Sequence, residues 1–328
     1  MTIHVLHPGA LATIQDKGRY GYQQFGVIVS GAMDSYSMRI ANWLVGNTDN
    51  EGALEVTMFG TSLQFEKDGV IAITGADLTA LLDGMPAPTW RPILVRKGSI
   101  LKFKAAKKGS RAYIAIAGGF NIPEVMGSKS TYLKAGIGGF HGRAIQKGDR
   151  LAFGSAFSRQ NQAVLDQLKI SPAKWSVRYD EVLRFGKEQK IRVVHGTEFD
   201  RFDEASRHRL VNESYTLTTD ADRMGFRFKG PSLSLEDKFE LLSEGVTYGT
   251  VQIPSNGQPI ILMADRQTTG GYPKIAQVIS ADLPTLAQLQ PNANVRFQAI
   301  SFEEAEQELL RHTQIMKEIH IGIRLKQK

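Results

Sequence analysis

Short runs of alternating apolar and polar residues, separated by glycine-containing turns, dominate the chain. Residues 70–74 and 111–117 have the β-branched and aromatic content of strands, and each run ends at a glycine. Successive runs lie about ten residues apart, which favours β-barrels or sandwiches over a parallel sheet wound with helices. The turn at residues 97–98 separates two such runs, 93–95 and 100–103, and this arrangement predicts a hairpin between them.

Helical periodicity is confined to a few segments. Asp34 or Ser35 is placed to cap a helix that runs to Val45, because these side chains accept hydrogen bonds from the first free amides of a helix. Ser301 and Glu304 have the spacing of a capping box and predict a C-terminal helix. Residues 200–212 form a third, weaker candidate. The predicted fold class is therefore mainly β with a few helices.

The stretch 155–190 is polar and is the least strand-like part of the chain. It predicts a connecting segment between an N-terminal β domain, residues 1–154, and a C-terminal β domain, residues 191–328, which ends in the helix. A chain of 328 residues is long enough for two domains of ordinary size.

Composition removes several classes of chemistry. The chain has no cysteine, which excludes disulfides, thiolate metal sites and a cysteine nucleophile within it. The net charge is +7, but the densest basic run, residues 102–111, has no accompanying motif of stacking aromatics, so we expect no nucleic-acid partner. An excess of positive charge of this size is typical of proteins that bind anionic small substrates or an acidic partner surface. The sequence shows neither a signal-peptide pattern nor a membrane-spanning run, so we expect a cytoplasmic protein that does not bind membranes.

Two glycine-rich segments resemble nucleotide-binding motifs but depart from them. Residues 127–131 look like the end of a phosphate-binding loop, yet Ser128 separates Gly127 from Lys129. This segment stays a candidate turn whose amides and hydroxyls hold an anion. Residues 136–142 place the third glycine one position late for a dinucleotide fingerprint. His141 lies there, and it is the histidine best placed for a role beyond structure.

Polar side chains are concentrated in loops of both halves. In the first half, the fork of Arg19 is suited to hold an oxyanion, and Asp16 either orients that arginine or acts as a base. The structural alternative is an Asp–Arg pair that fixes the turn. In the second half, the strand at residues 259–263 leads into four consecutive polar residues, 265–268, and then a double glycine. An arginine beside Asp and Gln suits an amide, carboxylate or phosphate, whereas the structural alternative is a network that satisfies the strand end.

Ordered blocks along nearly the whole chain resemble the KipA family, also called allophanate hydrolase subunit 2 or the C subunit of 5-oxoprolinase. These blocks are residues 13–19, 30–34, 127–132, 138–143, 222–225 and 270–273. The resemblance implies two cyclophilin-like β-barrel domains. It also implies a complex with two further subunits, one KipI-like and one LamB/YcsF-like, in which ATP with Mg²⁺ drives the opening of 5-oxoproline to glutamate. The chain lacks the lysine-centred segment of biotin carriers, so we expect no biotin attached to it.

The motifs and the resemblance together nominate thirteen site residues and no metal ligand. The candidate catalytic residues are Asp16, Arg19, Arg223, Asp265 and Gln267. The candidate substrate-binding residues are Gln15, Ser128, His141, Gln252, Gln258, Arg266, Thr268 and Tyr272.

Two other functions stay open from the sequence. One is the carboxyltransferase component of a biotin-dependent urea carboxylase or allophanate hydrolase system, in which the same loops would bind carboxybiotin and an amide. The other is a non-enzymatic antagonist of a KipI-type kinase inhibitor, which requires only an interaction surface and leaves the polar loops unexplained.

Overall fold

The computed structural model describes residues 2–154, 159–180, 182–237 and 241–327. The chain divides into two compact units. Unit 1 comprises residues 1–20, 30–184 and 314–328, and unit 2 comprises residues 21–29 and 185–313. Within the described ranges, none of the helices combines the length and the apolar character needed to cross a bilayer.

Eleven strands of unit 1 form two sheets. One sheet has the order β11-β1-β4-β9-β6-β7 and the other has the order β2-β3-β10-β5-β8. In chain order the strands are β1 Thr2–Pro8, β2 Leu11–Gln15, β3 Ala53–Thr57, β4 Thr61–Phe65, β5 Gly69–Asp77, β6 Ala80–Leu82, β7 Met85–Pro86, β8 Pro92–Val95, β9 Ile100–Phe103, β10 Lys108–Ile116 and β11 Arg150–Ala152.

Both sheets of unit 1 contribute to one apolar core. Val5 and Phe65 from the first sheet and Ile14 and Ile114 from the second belong to the same buried cluster. Strand β9 alternates buried and exposed residues, as expected for a strand with one face toward water. Strand β10 is instead buried from Gly109 to its end, because helix α1 (Ser35–Leu44) packs against it as well. This double coverage explains why both faces of β10 carry apolar or aromatic residues from Ala112 to Ile116.

Helix α1 is fixed at both ends by side chains. Asp34 is its N-cap, and the carboxylate accepts hydrogen bonds from the amide of Ser37 at 3.0 Å and from its hydroxyl at 2.6 Å. At the other end, Gln327 donates to the carbonyl oxygens of Trp43 and Leu44. Gln327 follows helix α5 (Phe302–Lys326), whose start carries the predicted capping box between Ser301 and Glu304. Both capped helices predicted from the sequence are therefore present.

The predicted hairpin around residues 97–98 is wrong. Strand β8 pairs with β5, whereas β9 pairs with β4 and β6, so the turn carries the chain from one sheet to the other. The amide of Gly98 donates to the carbonyl oxygen of Phe65 at 2.6 Å, which ties the turn to the first sheet. Both runs face the shared core, and closing that core outweighs the local turn preference.

Unit 2 is built on a closed seven-stranded barrel, of order β12-β19-β16-β17-β14-β13-β20. Its strands are β12 Glu188–His195, β13 Ser214–Leu217, β14 Gly225–Lys229, β16 Thr250–Gln252, β17 Ile260–Leu262, β19 Lys274–Val278 and β20 Asn294–Ala299. Neighbouring strands of this barrel are antiparallel except β12 and β20, which run parallel and close it. A two-stranded ribbon, β15 Glu244–Gly245 with β18 Thr269–Gly270, lies outside the barrel sheet. The mainly β fold class predicted from the sequence is confirmed.

Three further helices in the described ranges have 12, 9 and 5 residues. Helix α2 (Arg159–Ile170) lies in the polar stretch that the sequence pattern predicts to be a connection. Helix α3 (Glu204–Asn212) covers most of the third predicted segment, and Asp203 caps it by accepting from the amide of Ser206 at 2.6 Å. Helix α4 (Leu283–Ala287) follows the barrel strand β19.

The two N-caps allow a matched test of burial. We expect Asp34→Ala to lower the free energy of unfolding by about 1–2 kcal/mol. The substitution removes a fully buried carboxylate and leaves the helix amide of Ser37 without that acceptor. We expect Ser301→Ala to cost no more than about 1 kcal/mol, because its cap is exposed to water, which replaces the lost bond. Urea denaturation followed by circular dichroism measures both values. Equal losses would contradict the assignment of the larger effect to burial.

Candidate functional site

The carboxylate of Asp16 lies in a cradle formed by the loop at residues 128–130. It accepts hydrogen bonds from the amide of Gly18 at 2.8 Å, the amide of Lys129 at 2.6 Å and the hydroxyl of Ser128 at 2.8 Å, and also from the hydroxyl of Ser130. Asp16 is 1% exposed. The segment that resembles a phosphate-binding loop thus does hold an anion, and that anion is a side chain of the same chain.

Arg19 and Gln15 extend this cradle. Arg19 is fully buried and donates from Nε to the carbonyl oxygen of Val125 and from Nη2 to that of Ser130, each at 2.9 Å. Gln15 is also fully buried, and its Nε2 donates to the carbonyl oxygen of Thr131 at 3.2 Å. The structure therefore brings four of the predicted site residues together around one loop: Gln15, Asp16, Arg19 and Ser128.

The double glycine at residues 138–139 is required by this packing. Gly138 has a positive φ of 66°, and a Cβ there would collide with the carbonyl oxygen of Ser130 and with the Arg19 guanidinium. A Cβ on Gly139 would collide with the hydroxyl of Thr131. Only glycine permits this approach. His141, from the same segment, has a positive φ of 56° and an exposed side chain that meets the ring of Phe140 edge-on, so it lies outside the hydrogen bonds of the cradle.

In unit 2, two of the predicted catalytic residues, Arg223 and Asp265, form an ion pair that the sequence pattern did not predict. Nε and Nη2 of Arg223 each donate to one carboxylate oxygen of Asp265 at 2.9 Å, and both side chains are about 5% exposed. The amide of Asp265 also donates to the carbonyl oxygen of Arg223. Asp222 stabilises the tight turn next to Arg223, because its carboxylate accepts hydrogen bonds from the backbone amides of Met224 and Gly225.

The rest of the 265–268 loop is more open. The Arg266 guanidinium lies 5.9 Å from the ring centre of Tyr248, within the range of a cation–π contact. Gln267 is exposed, and Thr268 is half-buried. The carbonyl oxygen of Thr268 accepts the amide of Val246. This loop therefore offers the exposed amide of Gln267 beside the half-buried guanidinium of Arg266 and the half-buried hydroxyl of Thr268.

Unit 2 also contains a buried lysine that is not among the residues predicted from the sequence. The Nζ of Lys274 lies 3.1 Å from Glu198 Oε2 and also contacts Glu244, and the lysine side chain is only 9% exposed. The backbone amide of Lys274 donates to the same Glu198 oxygen at 2.9 Å. Glu244, on the β15–β18 ribbon, is 48% exposed. The ammonium thus has one partner inside the protein and one toward solvent.

Gln252 and Tyr272 lie beside this lysine. Gln252 is 4% exposed and faces Lys274 across the β16–β19 pair, and its Nε2 donates to the carbonyl oxygen of Tyr272 at 3.4 Å. The Tyr272 side chain is 51% exposed. We call the group of Glu198, Glu244, Gln252 and Lys274 the lysine cluster.

The barrel register separates the lysine cluster from the Arg223–Asp265 pair. Gln252 is opposite Ile260, at the start of β17, whereas Asp265 follows the end of that strand. Gly225, next to the Arg223 turn, is opposite Leu262. The two groups therefore lie beyond opposite ends of the three-residue strand β17, and residues 266–273 run from the Arg223–Asp265 pair to Lys274.

Gln258 has a different setting. Its Oε1 accepts the amide of Gly230 at 2.9 Å, and its Nε2 donates to the carbonyl oxygen of the same residue at 3.1 Å. Both ends of the amide are therefore engaged by the backbone of a neighbouring strand connection. In this structure Gln258 has the contacts of a structural residue, and its predicted role in substrate binding stays a prediction.

Burial and charge oppose each other in the lysine cluster. Burial raises the pKa of Glu198, but hydrogen bonds from the Lys274 amide, Thr197 and the Lys274 ammonium outweigh it and hold that pKa below its ordinary value of 4.5. Burial likewise lowers the pKa of Lys274, but Glu244 and Glu198 outweigh it and raise the pKa above 10.5. The ion pair is therefore charged across the neutral range.

The sequence of the chain matches a known protein family. Residues 25–299 fit the family described as "Carboxyltransferase domain, subdomain A and B", so the chain belongs to the carboxyltransferase-domain family. Within it, the chain is 41% identical to the C subunit of 5-oxoprolinase from Haemophilus influenzae and 40% identical to that from Escherichia coli. Each comparison covers 92% of this chain and 93% of the relative.

A solved relative agrees on the fold. The urea amidolyase of Kluyveromyces lactis superimposes with a TM-score of 0.86 at 28% identity, over 97% of this chain. The match occupies 20% of that much longer protein. Nearly the whole length of this chain therefore has a structural counterpart within one longer protein.

The cradle predicts a specific stability loss. Asp16→Asn replaces a pure acceptor with a group that presents an NH₂ to donors already aimed at it, so we expect a loss of about 1–3 kcal/mol in the free energy of unfolding. Hydrogen exchange should show faster exchange at the Lys129 amide, which loses its acceptor. Asp237→Asn, at an exposed position, is the control. Unchanged exchange at Lys129 would contradict the cradle.

The lysine cluster predicts a pH dependence. The pKa of Glu198 is lower in the folded protein than its ordinary value of 4.5. The stability that this carboxylate contributes is therefore fully present above about pH 4.5, and it is lost as the pH falls through the pKa of the folded state. We expect Glu198→Gln to be less stable than wild type at neutral pH and the difference to narrow as the pH falls below the folded pKa of Glu198. Urea midpoints across that acidic range measure this, with Glu306→Gln, on an exposed position of α5, as the control. A difference in stability between wild type and Glu198→Gln that stayed constant across this pH range would contradict a depressed pKa of Glu198 in the folded protein.

Proposed function

We propose that this chain is the C subunit of an ATP-dependent 5-oxoprolinase and acts as one component of a hydrolase complex. The observation that carries the proposal is the correspondence over almost the full length of both proteins with two relatives that bear that name. The urea amidolyase matches, by contrast, contain this chain as a fifth or less of a larger enzyme.

The reaction needs activation of a stable lactam. Transfer of the γ-phosphoryl group of ATP to the lactam oxygen releases ADP and makes the ring carbon electrophilic. Water then adds to that carbon, and the carbon–nitrogen bond breaks to free the amine and leave an acyl phosphate. A second water hydrolyses the acyl phosphate to glutamate and phosphate. The protein must hold a carboxylate substrate and stabilise the negative charge that develops on oxygen and phosphate.

We assign the substrate carboxylate to Lys274. The exposed Glu244 occupies one side of the ammonium, and an incoming carboxylate can replace it there without leaving the buried Glu198 unpaired. Gln252 lies beside this position and offers an amide for the lactam. Replacing the Glu244 carboxylate with the substrate carboxylate keeps the same number of charges around Lys274. Binding of the substrate therefore does not require further desolvation of an unpaired lysine.

Arg223 and Asp265 have a different role in the proposal. The Asp265 carboxylate is engaged by both arms of Arg223, so the pair fixes the 265–268 loop and sets the position from which the Arg266 guanidinium meets a phosphate or an oxyanion. Asp16 and Arg19 hold the 128–130 loop in unit 1. We retain Gln267, Thr268 and Tyr272, which are at least partly exposed, as residues that contact substrate.

The partners in this proposal are two further subunits, one KipI-like and one LamB/YcsF-like. We place the complex in the cytoplasm and take ATP with Mg²⁺ as its co-substrate. Among the described residues, no group of three or more histidine or acidic side chains is arranged to hold a metal ion.

A second candidate function is carboxyl transfer from carboxybiotin to urea. The TM-score of 0.86 to the Kluyveromyces lactis urea amidolyase and the family description favour it. The lysine cluster would then bind carboxybiotin, which is also an anion.

The decisive assay co-expresses this chain with both candidate partners and measures glutamate released from 5-oxoproline, with and without ATP. We expect release only with ATP and all three subunits. We expect Lys274→Ala to lower kcat/KM by about 100-fold, or roughly 2.7 kcal/mol, mainly through a higher KM, because the charge that binds the substrate is lost. Arg223→Ala should lower turnover by about tenfold or more through disorder of the loop.

The matched control is Arg296→Ala, which removes an exposed arginine that pairs with Glu188 away from these sites. Wild-type turnover in both Arg223→Ala and Asp265→Ala would refute the role of that pair. Absence of glutamate release, with decarboxylation of carboxybiotin in the presence of urea, would replace the proposal with the second function. Tight binding of the KipI-like partner without either reaction would favour a regulator.

A further inference from the structure

Unit 1 contains an open groove that none of the predicted site residues lines. Its volume is about 710 Å³, and its walls include Trp43 from α1, Asp49, Arg159 at the start of α2, and His320 and Arg324 from α5. We call it the Trp43 groove. Its volume lies in the range of small-molecule sites, which run from about 300 to 1,000 Å³.

A stacked pair of rings forms one wall of the groove. The rings of Trp43 and His320 are nearly parallel, at 7°, with their centres 4.4 Å apart. The indole Nε1 of Trp43 donates to Asp49 Oδ1 at 2.5 Å, which locks its orientation. Burial lowers the pKa of His320, and Arg324 and Arg39 lower it further against the opposing effect of Asp49. The imidazole therefore presents a neutral, planar surface at neutral pH.

The acidic side chains of the groove are already paired. Asp49 lies 3.1 Å from the Lys17 ammonium and 3.1 Å from the Arg39 guanidinium. Glu51, which also lines the groove, forms a partly buried ion pair with Lys129. These two carboxylates are therefore already balanced by cations outside the groove wall.

Two further residues of the groove are arginines, Arg159 on α2 and Arg324 on α5. In the ranges that the structure describes, Arg159 and Arg324 form no ion pair with any carboxylate. Among these described residues, the cations in and around the groove thus outnumber its carboxylates, and the unmatched charge comes from two guanidinium forks on different helices. Guanidinium forks bind phosphate and carboxylate groups through paired hydrogen bonds.

We propose that the Trp43 groove binds a phosphorylated small molecule of nucleotide size, with its phosphates held by Arg159 and Arg324 and its planar ring against His320. A phosphate chain carries enough negative charge to match both arginines, and the groove is far larger than a single amino-acid anion requires. Trp43 and Asp49 serve as positioning residues, since they hold the imidazole and do not themselves supply the charge. This assignment does not depend on the reaction proposed above.

Calorimetric titration of the isolated chain tests the proposal. The probes are ATP without metal, AMP, pyrophosphate and glutamate, at low salt. We expect ATP to bind, and Arg159→Gln and Arg324→Gln each to weaken it at least tenfold, or about 1.4 kcal/mol. The matched control Arg96→Gln removes an exposed arginine that pairs with Asp68 and should leave the affinity unchanged. Melting temperatures check that each variant remains folded.

A second variant separates the ring from the phosphates. His320→Ala should weaken ATP and AMP several-fold and leave pyrophosphate unchanged. Equal ATP affinity in wild type and in the Arg159→Gln, Arg324→Gln double variant would overturn the proposal, as would tighter binding of glutamate than of any phosphate compound. If His320→Ala weakened the affinities for ATP and pyrophosphate equally, the proposed contact between the ligand's ring and His320 would be refuted.

Discussion

The buried carboxylate of Asp16 is the constraint on which much of unit 1 depends. An ionised carboxylate removed from water costs several kcal/mol unless the protein supplies its hydrogen bonds. Here the donors are the amides of Gly18 and Lys129 and the hydroxyls of Ser128 and Ser130. Because these donors, apart from Gly18, are 112 to 114 residues away, the requirement joins the end of the second strand to a distant loop. The glycines at 138 and 139 follow from the same requirement, since the loop leaves no room for a Cβ.

Local patterns were sufficient to predict the fold class and both capped helices. Alternation along a strand and the chemistry of a helix cap are properties of a few neighbouring residues, and Asp34, Ser301 and Glu304 show them directly. The hairpin at residues 97–98 was predicted by the same kind of pattern and is wrong, because the choice of strand partner is decided by the core and not by the turn. Sequence alternation specifies which face of a strand is buried but not its neighbour.

The sites show the same division between local and distant information. Arg223 and Asp265 could be nominated as site residues because both lie in glycine-containing polar loops, which are visible in the sequence, but their pairing across 42 residues could not be predicted. Lys274 could not, because its carboxylate partners lie 76 and 30 residues away and Glu198 stands in no recognisable motif. The Trp43 groove is harder still to predict, since its walls combine residues of three helices with loop residues at 46–51 and 118, and none of these segments has an unusual charge pattern by itself. The sequence feature that could have drawn attention to Lys274 is its position directly after the Gly-Gly-Tyr-Pro block. In the structure this is the first position of a barrel strand.

The parallel pairing of β12 with β20 has a consequence for synthesis of the chain. Strand β20 lies between β12 and β13, so the edges that these two strands present to it stay unpaired until residues 294–299 have left the ribosome. Nearly all of the barrel is made before that point, with apolar strand surface and open backbone groups exposed to other nascent chains. Long-range closure of this kind is slow and prone to aggregation. The interval before the last strand arrives is thus the stage at which unit 2 most needs protection by chaperones, and substitutions that weaken β20 would reduce the yield of folded protein before they altered any site.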